Sequence, residues 1–181
     1  PAAYQVLAEI MQQGGDSKSA VASLDTLTRR FPGSREAAAG AHFKARLLSQ
    51  SGDYGAAAVL WRKLASESAD SDSVLTFMAQ AAVCLYRKDD LGAAKDAADE
   101  LYKKFKTRPD LNEYRALFAL ERARALEHAQ KFDEAQKQYR AIREEFGVTS
   151  WSDDAAYGAA GALIRQGKLV EGKAALKKFV E

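Results

Sequence analysis

Apolar residues recur along the chain at the spacing of amphipathic helices. From Gly52 a turn containing Asp53 runs directly into a stretch with Ala57, Trp61 and Leu64 at three- or four-residue intervals. These intervals place the apolar side chains on one face of a helix. The stretch therefore predicts a turn followed by a helix that buries one side.

The same pattern occurs five times. The small residue that follows each turn recurs at intervals of roughly 37, 37, 41 and 37 residues, a period typical of stacked helical repeats. It is found as Ala20, Ala57, Ala94, Ala135 and Gly172. The residue twelve positions earlier is always alanine: Ala8, Ala45, Ala82, Ala123 and Ala160. Methyl-sized side chains at these positions let paired helices approach to about 8–10 Å between their axes.

This repetition predicts an all-α fold, a right-handed α-solenoid of about five antiparallel helix-turn-helix repeats. We expect a single domain covering 1–181, with repeats at approximately 1–34, 35–72, 73–109, 110–147 and 148–181. Asp110 with Glu113, and Ser150 with Asp153, have the spacing of capping boxes and are expected to begin the fourth and fifth repeats.

The last predicted helix carries Leu176, Phe179 and Val180 on one side at the very end of the sequence. End repeats normally have a polar outer face. We therefore expect either that the chain is a fragment of a longer protein or that its C-terminal repeat binds another copy.

Composition narrows the classes of function. The net charge is only +2, without the concentrated basic stripe that phosphate-backbone binding requires, so a nucleic-acid partner is not expected. Apolar runs are far shorter than the ~20 residues of a membrane-spanning helix, so no transmembrane segment is expected. Cys84 is the single cysteine, and its place on an apolar face indicates a structural thiol.

The sequence contains no convergent catalytic pattern. His42 and His128 lie in different repeats without carboxylates at metal-binding spacing. The paired acids, such as Asp89-Asp90 and Asp153-Asp154, lie at turns or helix ends, where capping and solvation explain them. We predict no enzyme activity, no catalytic or metal site and no cofactor.

The candidate binding surface is the concave face, which the first helix of every pair lines in such stacks. Polar and aromatic residues next to the central alanine on that helix should face the groove, and Arg and Tyr are enriched at binding hot spots. The set is His42, Arg46, Gln50, Gln80, Tyr86, Arg87, Glu121, Arg124, Glu127, His128, Tyr157 and Arg165. The alternative is an ordinary solvated helix face on which Arg124 pairs with Glu121 or Glu127 at helical spacing.

The small residues on both helices, the turn with Gly or Asp, and the terminator Phe31-Pro32-Gly33-Ser34 resemble the tetratricopeptide repeat family. The resemblance covers the whole chain, although that repeat is usually about 34 residues long. The family's aromatic near the start of the first helix is present as Tyr4 and replaced in the later repeats. The resemblance implies a non-catalytic scaffold that holds a protein or peptide partner in its concave groove.

Family members that grip chaperone C-termini carry Asn and Lys in the groove. The corresponding positions here carry Val6, Phe43, Gln80, Glu121 and Gly158, so that ligand is not expected.

Long repeats with this punctuation are similar to bacterial cell-envelope members of the family, such as outer-membrane assembly lipoproteins and Tol-Pal coordinators. That resemblance implies a periplasmic or outer-membrane-associated adaptor, with a cytoplasmic protein as the alternative. A second hypothesis is a helical accessory domain of a larger envelope enzyme whose catalytic residues lie outside this sequence. A third, an RNA-binding repeat, would need a regular basic groove with base-reading pairs.

Overall fold

The computed structural model describes residues 1–180, and the side chains of residues 1–178. Within residues 1–180 the chain forms ten α-helices and no β-strand, which confirms the predicted all-α helical-repeat class. They are α1 (Ala2–Gln13), α2 (Ser17–Arg30), α3 (Arg35–Gln50), α4 (Tyr54–Glu67), α5 (Ser71–Arg87), α6 (Leu91–Lys104), α7 (Leu111–His128), α8 (Phe132–Glu145), α9 (Ser152–Arg165) and α10 (Leu169–Val180). None of these helices is both long and apolar enough to span a bilayer.

The helices form two compact units, Pro1–Lys88 (unit 1) and Asp89–Glu181 (unit 2). In unit 1, each helix from α1 to α5 packs against the next along the chain. In unit 2, α7 packs on α8, α8 on α9 and α9 on α10, with a smaller contact between α6 and α7. Helices that follow each other in sequence are therefore neighbours in space within each unit.

The repeated small residues are all buried in the structure. All five alanines of the first helices, from Ala8 to Ala160, are inaccessible to solvent. The small residues of the second helices, from Ala20 to Gly172, are also buried. The predicted helical register is confirmed, because close axis approach is what excludes solvent at a methyl side chain.

The fifth repeat carries glycine at this position for a visible reason. A Cβ atom on Gly172 would lie 2.5 Å from Cγ1 of Ile164 and 3.1 Å from the carbonyl oxygen of Ala160. Helix α10 therefore approaches α9 too closely for even a methyl group. Of the apolar set at the end of α10, Leu176 is half-buried, while the side chains of Phe179 and Val180 lie outside the described residues.

Helix starts show where local sequence signals succeed and fail. Asp16 accepts a hydrogen bond from the backbone N–H of Ser19 at 3.0 Å, a side-chain N-cap. The expected capping boxes are wrong. The Asp110 carboxylate accepts two hydrogen bonds from the Arg108 guanidinium, each 3.0 Å long. The Ser150 hydroxyl donates to Glu113 Oε2 at 2.9 Å, so both cap candidates bind other partners.

Candidate partner-binding grooves

Five of the predicted groove residues line one cavity of about 310 Å³ in unit 1. We call this cavity groove 1. It is formed by α3, α4 and α5, and the structure brings the side chains of α3 and α5 together across Trp61. The lining residues are His42, Arg46, Ser49, Gln50, Trp61, Thr76, Gln80 and Arg87.

An aromatic cluster forms the base of groove 1. The ring of Trp61 stacks on Phe77 with centroids 5.6 Å apart, and it makes a T-shaped contact with the ring of His42, with centroids 5.3 Å apart. The indole Nε1 donates a hydrogen bond to Ser49 Oγ at 3.1 Å, and Ser49 Oγ lies 3.3 Å from Cys84 Sγ. Trp61 is buried, and its polar atom is satisfied. The base of the groove is thus fixed by packing and by hydrogen bonds.

Groove 1 is cationic. Arg46 and Arg87 contribute guanidinium groups, Gln50 and Gln80 contribute amides, and none of the described residues that line it is acidic. Burial lowers the pKa of His42, and the positive charge of Arg46 lowers it further. His42 therefore favours its neutral form at the edge of this surface. The formal positive charges of the groove are those of Arg46 and Arg87.

A second cavity that contains predicted residues lies in unit 2 and has a volume of about 650 Å³. We call it groove 2. Helices α7, α8 and α9 form it, and it too contains five residues of the predicted set. The lining residues are Arg124, Glu127, His128, Gln130, Phe132, Tyr139, Asp154, Tyr157, Gly158 and Arg165.

The centre of groove 2 is a carboxylate that the protein itself neutralises. Glu127 is buried on α7. Its Oε2 accepts a hydrogen bond from the Tyr139 hydroxyl at 3.0 Å, and its Oε1 accepts one from Arg165 Nε at 2.6 Å. These bonds join α7, α8 and α9, and charge-assisted bonds of this kind are stronger than neutral ones. Glu127 therefore links three helices of unit 2 through its bonds to Tyr139 and Arg165.

A second ion pair lies beside the first. Arg124 Nη1 donates to Glu121 Oε1 at 2.9 Å, and Arg124 Nη2 lies 3.9 Å from Asp154 Oδ1. Only 2% of the Glu121 side chain is exposed. The alternative raised by the sequence, pairing of Arg124 with Glu121 at helical spacing, is the arrangement in the structure.

Tyr139 fills the space under groove 2. Burial raises its pKa, and the nearby Glu127 carboxylate raises it further by its charge and by the hydrogen bond. The phenol is therefore a fixed donor. A Cβ atom on Gly158 would lie 2.6 Å from two ring atoms of Tyr139, so the ring occupies the space that a side chain on Gly158 would need.

Two residues of the predicted set do not face an open groove, and the expectation was wrong for them. Tyr86 is only 6% exposed, and it is the last of six consecutive buried residues, 81–86, on α5. Glu121 is turned into the protein against Arg124. Sequence reasoning also missed Ser49, Phe77 and Tyr139. Phe77 precedes Gln80 by three residues on α5, and this helical spacing was the available signal.

Residues 2–34 match the sequence profile of a tetratricopeptide repeat. No curated protein sequence matches the chain.

Solved structures with similar folds share little sequence with it. A tetratricopeptide repeat protein of Parabacteroides merdae is 14% identical, with a TM-score of 0.55 over 98% of this chain and 77% of that one. A thermophilic one of Thermus thermophilus is 15% identical, with a TM-score of 0.53 over 99% and 89%. YrrB, a TPR protein with an unusual peptide-binding site, is 16% identical, with a TM-score of 0.50 over 98% and 83%. These likenesses show a shared fold.

Proposed function

We propose that the chain is a non-catalytic scaffold that binds an acidic segment of a partner protein in groove 1. The observation that carries the proposal is the meeting of Arg46, Arg87, Gln50 and Gln80 around one cavity without an acidic lining residue. Guanidinium groups form paired hydrogen bonds with carboxylates, and amides contribute further donors. A positive patch of this kind also steers a negatively charged partner toward it.

Groove 1 is a better candidate than groove 2 because Arg46 is available to a ligand. Arg46 is exposed and forms no ion pair with another described residue. In groove 2, by contrast, Arg165 and Arg124 are bonded to buried carboxylates. A ligand there would compete with bonds that hold the helices together, and we assign groove 2 a mainly structural role.

The fold is compatible with a binding role. YrrB, which shares this fold, is a TPR protein with an unusual peptide-binding site, and a groove along stacked helices suits an extended or helical peptide. The resemblance in repeat punctuation supports a bacterial cell-envelope assembly, in the periplasm or at the outer membrane, as the setting of this scaffold.

The test is affinity capture from cells that naturally express the chain, comparing wild type with Arg46→Glu. We expect the charge reversal to release the captured partner without lowering stability, because Arg46 is exposed. Arg62→Glu is the matched control, since Arg62 is an exposed arginine on α4 that lines neither groove. Partners are identified by mass spectrometry, and folding is checked by thermal unfolding.

The proposal fails if the two variants and the wild type retain the same proteins in equal amounts. It also fails if Arg62→Glu releases the partner as completely as Arg46→Glu does, because the effect would then depend on net charge alone.

A further inference from the structure

A third cavity, of about 230 Å³, lies in unit 2 between α8, α9 and α10. We call it the basic cavity. It is lined by Gln136, Arg140, Arg143, Ala156, Ala159, Leu163, Ala175 and Lys178. On α9 its residues lie on the face opposite to Tyr157, Gly158 and Arg165, because an α-helix turns once in about 3.6 residues. The basic cavity is therefore separate from groove 2.

The charges around this cavity are all positive. Arg140 and Arg143 come from α8, and Lys178 comes from α10. None of the three forms an ion pair with another residue in the part of the chain that the structure describes, and no lining residue is acidic. Like charges gathered around a small cavity repel one another. A bound anion would remove that repulsion.

Gln136 gives an independent indication of a ligand. The residue is only 8% exposed, and its Nε2 atom has no hydrogen-bond partner among the described residues. Buried donors without an acceptor are rare in folded proteins, because burial costs them their bond to water. An oxygen acceptor bound in the cavity would satisfy this donor.

The remaining walls are apolar and small. Ala156, Ala159 and Leu163 from α9, with Ala175 from α10, provide methyl groups opposite the polar side chains. A ligand that fits both surfaces has a negatively charged oxygen group on a hydrocarbon stem.

We propose that the basic cavity binds a carboxylate that a partner protein presents on a short hydrocarbon stem. The carboxylate belongs either to an acidic side chain or to the C-terminal residue of the partner. This site uses none of the residues of groove 1, so it goes beyond the proposed function and is tested separately from it.

The test follows the Gln136 side-chain amide of the ¹⁵N-labelled chain by NMR, with Gln136→Leu used to assign the signal. Three small probes are titrated at constant ionic strength. N-acetyl-leucine presents a terminal carboxylate, N-acetylglutamic acid α-amide presents a side-chain carboxylate, and N-acetyl-leucinamide is neutral. We expect saturable shifts with at least one carboxylate and none with the neutral probe. The carboxylate that binds more tightly identifies the source.

Charge-removing variants locate the site. Arg140→Gln, and independently Arg143→Gln, should weaken carboxylate binding about tenfold, as expected for the loss of one charge-assisted hydrogen bond. Lys137→Gln is the matched control, because Lys137 is exposed on the same helix and does not line the cavity. The proposal is overturned if the Gln136 signal moves with no carboxylate or equally with the neutral probe. Equal weakening by Arg140→Gln, Arg143→Gln and Lys137→Gln would also overturn it.

Discussion

Grooves 1 and 2 come from the same sequence pattern, yet they use their arginines differently. Groove 1 has exposed Arg46 beside amides and above an aromatic base. Groove 2 places Arg165 on the buried Glu127 carboxylate, and these two residues are 38 positions apart, about one repeat. The guanidinium of Arg46 in groove 1 can thus bind a partner, while that of Arg165 in groove 2 bonds one repeat to the next.

The comparison shows that repeat register alone does not define a binding surface. Register decides which side of a helix a residue occupies, while a neighbouring carboxylate decides whether its charge is available to a partner. A buried carboxylate must be paired, because an unpaired charge in the interior is costly. In groove 2, Glu121 and Glu127 pair with Arg124 and Arg165, so these arginines bond to the protein itself instead of facing a ligand.

The largest expected effect concerns the aromatic base of groove 1. Trp61→Ala removes a buried indole together with its hydrogen bond to Ser49. It should lower the free energy of unfolding by about 3–5 kcal/mol, measured by urea denaturation. Val59→Ala on the same helix is the control, because Val59 is 71% exposed and its truncation should cost less than about 0.5 kcal/mol. Similar losses for the two variants would show that Trp61 is not the base of the groove.

The next effect tests the difference between the two arginines. Arg165→Gln should lower the free energy of unfolding by about 1–3 kcal/mol, because buried Glu127 then keeps only the Tyr139 hydroxyl as a partner. The 62% exposure of the Arg165 side chain limits the loss, since solvent screens its charge. Arg46→Gln in groove 1 should stay within about 0.5 kcal/mol. Equal values in urea denaturation would remove the distinction between the grooves.

The smallest expected effect is a pH dependence specific to groove 1. The pKa of His42 is lowered in the folded chain, chiefly by burial, from its ordinary value of 6.5. At a pH below about 6.5, His42 is therefore protonated to a greater extent in the unfolded chain than in the folded chain. The free energy of unfolding keeps the full contribution of neutral His42 above about pH 6.5, and it decreases as the pH falls below that value. Urea midpoints should fall between about pH 8 and pH 5.5, and His42→Gln should reduce that fall.

His128→Gln is the matched control, because His128 is an exposed histidine of unit 2 and does not line groove 1. A pH dependence that is unchanged in His42→Gln, or reduced as much in His128→Gln, would contradict the assignment to His42.

Helix positions and the packing register could be predicted from sequence because close approach demands a small residue at fixed intervals. Ala45 and Ala123 are buried while Arg46 and Arg124 point outward, as the register requires. The hydrogen-bond partners of polar side chains could not be predicted in this way. Ser150 binds Glu113 from the preceding repeat instead of capping its own helix, and this choice depends on how neighbouring helices pack.

The burial of Tyr86 was hidden for a related reason. The position of a residue along a helix predicts the face on which its side chain lies, but it does not predict how many other helices pack against that face. Residues 81–86 of α5 are buried without interruption, so the apolar face of this helix is wider than its sequence pattern indicates.

Photo-crosslinking in cells that naturally express the chain tests whether groove 1 holds a partner. A photoreactive amino acid replaces Gln80 in groove 1 in one experiment and exposed Val59 on α4 in another. We expect a crosslinked partner from position 80, lost when Arg46→Glu is added, and none from position 59. A partner captured from position 59, or one from position 80 that persists with Arg46→Glu, would contradict the assignment of groove 1 as the binding surface.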